Sequence, residues 1–142
     1  MSSYQPFPGN LEEALELAHK SELLAKHHYK IVAQLSVTAD VVEMSERFAL
    51  MEEGHAKAIE QIFKQITGKE FRPSAGSDHN EAYAVTFESL DALLKDALEK
   101  EKDSYLFYIS LSNSIKDQNV KDILRRLADE EKEHQEAIKK LF

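Results

Sequence analysis

The sequence predicts an all-α protein, a four-helix bundle made of two similar helical hairpins, and three observations lead there. Only 4 Gly and 3 Pro among 142 residues leave little punctuation for strands and tight turns. Apolar residues recur at helical spacing through four long stretches. The second half of the chain repeats the first at a constant offset of 79 residues, without a gap.

Asn10 followed by Glu13 forms a capping box ahead of a periodic run through Leu11, Leu15, Ala18, Glu22, Ala25 and Tyr29, so a first helix is expected from about 11 to about 36. A polar break at Thr38–Asp40 leads into a second run, Val41, Met44, Phe48, Glu52, His55, Ile59 and Phe63, which Gly68 is placed to cap. Together these make a hairpin over about 11–67. From 68 to 88 the period fails amid Pro73, Gly76 and polar clusters, and this segment reads as a crossover loop. About 20 extended residues reach roughly 65 Å, more than the ~37 Å length of a 25-residue helix, as a bundle with one long connection requires.

Ser89 then caps a third helix running to about Ser114, and after "KDQN" (Lys116 to Asn119) a fourth runs to the C-terminus, giving a second hairpin over about 90–142. The repeat pairs Asn10 with Ser89, Leu15 with Leu94, Glu22 with Glu101, Tyr29 with Tyr108, Glu52 with Glu131, His55 with His134 and Phe63 with Phe142. The matches favour inward positions, so the hairpins should pack as a pseudo-twofold pair. The length suits one domain over 1–142.

Composition narrows the function. A net charge of -8 argues against a nucleic-acid partner. The absence of cysteine removes disulfides, thiolate catalysis and sulfur-ligated metals, so any metal is held by oxygen and nitrogen. Neither a signal peptide nor a run of the roughly 18 apolar residues that spans a membrane is present, and a cytoplasmic protein is expected.

The chemistry resides in polar residues on apolar stripes. "FALMEEGHAKAIEQIF" places Glu52 and His55 three apart on the face that Ala49, Ile59 and Phe63 mark as buried, and "LADEEKEHQEAIKKLF" does the same with Glu131 and His134. Glu22 and Glu52 lie equally far from the turn near Val37, which sets them side by side in an antiparallel hairpin; Glu101 and Glu131 bear the same relation to the turn near Lys116. Four carboxylates and two imidazoles therefore converge at mid-height. Unneutralised, that burial would cost several kcal/mol per ion, and no Lys or Arg falls on the inward stripe at that level, whereas two divalent cations would cancel the charge. Tyr29 and Tyr108 are either core aromatics or partners of a ligand carboxylate, and Glu130 is a candidate to orient an imidazole. His19, His27, His28 and His79 are expected to be exposed or in loops, and Glu53 and Asp129 solvated.

Two lone Glu residues and two Glu-x-x-His pairs on four helices match the ligand pattern of di-iron and di-manganese carboxylate bundles. With "SELLAKHHY", "EKDSYLFY", "EEGH" and "EKEH", the chain resembles a rubrerythrin-like member of the ferritin-like di-iron-carboxylate family. The resemblance implies that Glu52 and Glu131 bridge two metals, with Glu22 and His55 completing one and Glu101 and His134 the other. It further implies two iron ions, with manganese, mixed Fe/Mn or purified-in zinc as alternatives, and an oxidoreductase that reacts with peroxide or O2 using an external electron-donor protein. The chain departs from the family pattern in having no rubredoxin-type cysteines and in carrying Ser104 where related proteins have a further carboxylate. The competing class is a non-catalytic iron-storage or metal-stapled structural bundle, and a homodimer suits so small a domain.

Overall fold

The computed structural model describes residues 10–73 and 89–142, and among them four α-helices and no strand. They are α1 (Leu11–Leu35), α2 (Ala39–Thr67), α3 (Leu90–Ser114) and α4 (Gln118–Lys139). Most of the expected crossover loop, with His79, lies outside the described residues. No helix among them is long and apolar enough to cross a membrane.

Helix starts follow local capping chemistry. Asn10 Oδ1 accepts from the Glu13 amide at 2.7 Å, and Ser89 Oγ accepts from the Ala92 amide at 3.1 Å, so the repeat-equivalent starts are capped alike. α2 begins at Ala39, inside the expected polar break, with Thr38 as an N-cap whose side chain makes no capping bond. The break before α4 is likewise shorter than expected: Asp117 caps it by accepting from the Val120 amide at 3.2 Å, which draws Gln118 and Asn119 into the first turn. Gly68 ends α2 in the left-handed region at φ 74, its amide donating to Lys64 O at 2.8 Å.

The chain groups into two compact units, Leu15–Ala97 and the first turn of α1 with Leu98–Phe142. In the first, Leu15, Val32, Ile59, Ile62 and Leu93 are wholly buried, and Tyr29 sets its ring edge-on to Phe48 at 5.5 Å. The segment after Gly68 folds back here. Phe71 lies against the His19 ring at 4.3 Å and edge-on to Phe63 at 5.3 Å, and Lys64 meets Glu70 at 2.6 Å. The Glu70 carboxylate holds the Lys64 ammonium above its ordinary value. In the second unit Leu111, Val120, Leu124, Ala128 and Ile138 form the buried stripe. α4 stops at Lys139, short of the expected extent, and Phe142 is 54% exposed where its repeat mate Phe63, covered by Phe71, is 6% exposed.

Two histidines expected at the surface are buried instead. His28 is 1% exposed: its Nε2 lies 2.7 Å from Leu93 O and its Nδ1 3.7 Å from Asp96 Oδ2, tying α1 to the start of α3. His19 is 5% exposed, with Nε2 2.9 Å from Glu60 Oε2. Both flank the central stripe of α1, because a helix packed on more than one neighbour buries a wider face than a two-helix seam does. His27 is intermediate.

Gly68→Ala should cost about 1–2 kcal/mol in urea unfolding with an unchanged m-value: a Cβ there meets nothing within 4 Å, so the cost is backbone strain alone. His28→Ala should cost more, about 2–4 kcal/mol, because it opens a cavity and removes the bond to Leu93 O.

Candidate metal centre

Two triads of ligand type are built in the same way, one in each unit. In the first, Glu22 comes from the apolar stripe of α1, and Glu52 and His55 come from successive turns of α2. All three are buried, at 1%, 1% and 3% exposure. His55 Nδ1 lies 3.4 Å from Glu22 Oε2 and 3.4 Å from Glu52 Oε1. In the second, Glu101 comes from α3, and Glu131 and His134 from α4, with His134 Nδ1 3.3 Å from Glu101 Oε1 and 3.8 Å from Glu131 Oε1. Each triad therefore offers one nitrogen and two carboxylate oxygens within 4.8 Å of one another. The hairpin register that sets equidistant residues side by side holds in both.

Three of these four spacings fit a cation, and the fourth, from His134 to Glu131 at 3.8 Å, is slightly wider. First-row metals hold N and O ligands at roughly 2.0–2.2 Å, which sets neighbouring ligand atoms about 3.0–3.5 Å apart. Charge-assisted hydrogen bonds made for their own sake close to about 2.7–2.9 Å. Charge gives the same result: with both carboxylates ionised, a triad keeps a net negative charge even if its imidazole is protonated. Burial in that state costs several kcal/mol, and a divalent ion removes the cost. Oxygen and imidazole ligands suit iron, manganese or zinc.

Around the triads the two hairpins differ. Beside Glu52, Glu53 pairs with Lys26 at 3.3 Å, and the bond and charge of Lys26 hold the Glu53 carboxyl below its ordinary value. Glu53 is thus a partly covered, paired residue, while Asp129 is exposed as expected. At the corresponding place in the second hairpin, Lys132 Nζ lies 5.7 Å from the centre of the Tyr105 ring. Gln135, 3% exposed, donates from Nε2 to Glu101 O at 3.4 Å and so ties α4 to α3 beside the second triad. Tyr29 and Tyr108, each seven residues after a triad Glu, are 1% exposed. Glu130 is half-buried and lies 3.7 Å from Arg126 Nε; Ser104 is half-buried.

Sequence reasoning missed His19, His28 and Gln135, although the repeat carried a signal for each. Their mates are Leu98, Phe107 and Ala56, apolar residues at core-flanking positions. A polar residue whose mate is apolar is a candidate for burial with a partner.

Among curated proteins none matches. Solved structures do: a hypothetical protein from Pyrococcus furiosus is 25% identical, with a TM-score of 0.78 over 92% of this chain and 86% of its own. A dodecameric thioferritin, the bacterioferritin-related protein from Bacteroides fragilis, is 24% identical, with a TM-score of 0.76 over 89% of this chain and 80% of its own. CopM in its Cu(II)-bound form shares 8% identity and a TM-score of 0.73 over 92% of this chain and 93% of its own, a likeness of fold alone. These likenesses show an all-α, ferritin-like four-helix fold. The rubrerythrin family model matches residues 13–142, nearly the whole chain, and with the buried Glu and His residues already described this establishes that the protein belongs to the rubrerythrin family of ferritin-like di-iron proteins.

Proposed function

We propose that the two triads together hold a dinuclear iron centre, with Glu52 and Glu131 bridging, Glu22 and His55 completing one position, and Glu101 and His134 the other. The observation that carries this reading is the duplicated, buried set of two carboxylates and one imidazole at ligand spacing in a chain of this family. When bound, the two ions supply one-electron redox chemistry toward peroxide or O2. The protein supplies the rest. Four carboxylates balance two divalent charges, so the filled site is neutral while the imidazoles stay unprotonated and available as ligands. Gln135 holds α4 against the turn of α3 that carries Glu101, which fixes the second triad's shape. The Tyr29 and Tyr108 hydroxyls steady ligand carboxylates, a role suited to buried phenols.

The donor that the family resemblance implies is a separate electron-carrier protein. The reaction is reduction of peroxide or O2 at that carrier's expense, and manganese in place of iron would retain the same ligands. The alternative reading is a non-catalytic iron-storage bundle, which a thioferritin of like fold suggests without favouring it. Stopped-flow spectra separate the two: fast oxidation by H2O2 with repeated turnover supports the oxidoreductase, and slow oxidation with growth of a ferric core supports storage.

Metal analysis of protein purified without chelator should find about two ions per chain, and Glu52→Ala or Glu131→Ala should each remove both, since each is assigned as a bridge. Loss of a single ion would refute the bridging roles. Chelation should lower stability by about 4 kcal/mol relative to protein in free metal a thousandfold above Kd, read as a fall in melting temperature. An unchanged melting temperature would mean that the triads do not take up metal.

A further inference from the structure

The repeat that duplicates the ligands inverts the charge beside them. On α2, Glu46, Glu53 and Glu60 recur every seven residues; their mates on α4 are Arg125, Lys132 and Lys139. On the facing helices Leu23 and Lys26 have Lys102 and Tyr105 as mates. The first seam is closed by the ion pair of Lys26 with Glu53 and by the contact of His19 Nε2 with Glu60 Oε2 at 2.9 Å. The second is closed by the half-exposed Tyr105 ring beneath Lys132, with Lys102 one turn away. Its cations reach solvent: the side chains of Lys102, Lys132 and Lys139 are 42%, 51% and 45% exposed. Arg125 is exposed and makes no ion pair among the described residues. The acids beside them, Glu99 to Lys102 and Glu136 to Lys132 and Lys139, form exposed pairs three or four residues apart, which hold little energy and break readily for a partner.

We propose that this α3–α4 seam, with Tyr105 at its centre and Lys102, Arg125, Lys132 and Lys139 around it, is the docking surface for a small acidic electron-carrier protein. The inference rests on the redox reading of the centre. Four solvent-reaching cations along one seam, with the exposed Asp129 between Arg125 and Lys132 in sequence, stand out on a chain of net charge -8 and are complementary to an acidic partner, and such patches act through steering and orientation. The place suits electron delivery: Tyr105 follows the ligand Glu101 by one helical turn, and Lys132 follows the ligand Glu131 directly. At each encounter the carrier is oxidised by one electron and the centre reduced by one. Two encounters supply the two electrons that, with two protons from solvent, convert one peroxide to two waters.

The test titrates the metal-loaded full chain with an oxidised [2Fe–2S] ferredoxin, a small acidic one-electron carrier, in a calorimeter over a range of salt. Binding should weaken with salt, and R125E/K132E should lower affinity at least tenfold and flatten the salt dependence, with K102E, on the facing helix, shifting it the same way. E46K, on the repeat-equivalent stripe, should leave binding unchanged. Equal affinity of wild type and R125E/K132E, a larger loss in E46K, or a change of oligomeric state in sedimentation that accounts for the loss would overturn the proposal. In stopped flow, R125E/K132E should slow reduction by the reduced ferredoxin and should not slow reduction by the small methyl viologen radical cation; slowing of both would place these residues in the centre's own chemistry and refute docking. If neither reductant reduces the wild-type centre, the redox reading of the centre fails, while the calorimetric result still decides whether an acidic protein docks here.

Discussion

Buried carboxylates are the constraint on which this protein's organisation depends. Glu22, Glu52, Glu101 and Glu131 are all at most 2% exposed. A hydrophobic stripe would have accepted leucine at each position with a gain in stability, whereas an ionised carboxylate there raises the free energy of the native state unless something offsets it. The offset begins with the imidazoles three residues on, His55 and His134, whose Nδ1 atoms sit among the carboxylate oxygens. It is completed, on the reading developed above, by metal. Folding energy and chemistry are therefore held by the same residues, and the apolar positions around them, such as Ile59 and Leu127, supply a surrounding of low polarity that sharpens both.

Much of this could be read without coordinates, because helical period and register are local properties. The ends of α1 and α3 follow from Asn10, Ser89 and the polar residues past them, and the end of α2 from Gly68, since each is a matter of a few adjacent residues. The two triads were legible because equal distance from a hairpin turn fixes which side chains meet. The surroundings were less so. His28 is buried by a carbonyl from a helix 65 residues away, and His19 by a phenylalanine beyond the end of the regular pattern. No local rule announces either contact. Comparison of the halves did hold the information, since Leu98 and Phe107 occupy the matching positions, but it lay in mismatches and not in matches.

Those mismatches show how a duplicated scaffold becomes asymmetric. The triads, the tyrosines and the caps are kept in both halves, while the layer just outside them diverges: Lys26 with Glu53 against Tyr105 with Lys132, and Ala56 against Gln135. Two metal positions made by similar triads would thus lie in different electrostatic surroundings, one beside a neutralised ion pair and the other beside an aromatic ring and a cation. Differences of that kind shift the redox and proton affinities of otherwise like ligand sets.

The charge inversion between α2 and α4 has a consequence for assembly of the chain itself. Two hairpins with similar apolar stripes invite the wrong helices to pair, since burial alone scarcely distinguishes α2 from α4 as a companion for α1. The seam residues do distinguish them. Were α1 to pair with α4 in the same register, Lys26 would meet Lys132 and His19 would meet Lys139; were α3 to pair with α2, Tyr105 would lose its cation to Glu53. Each mispairing exchanges an attraction for a repulsion or for a lost contact, and such penalties separate competing structures more effectively than further burial does. A pattern that distinguishes the halves chemically thereby also lets each helix recognise its own neighbour as the chain folds.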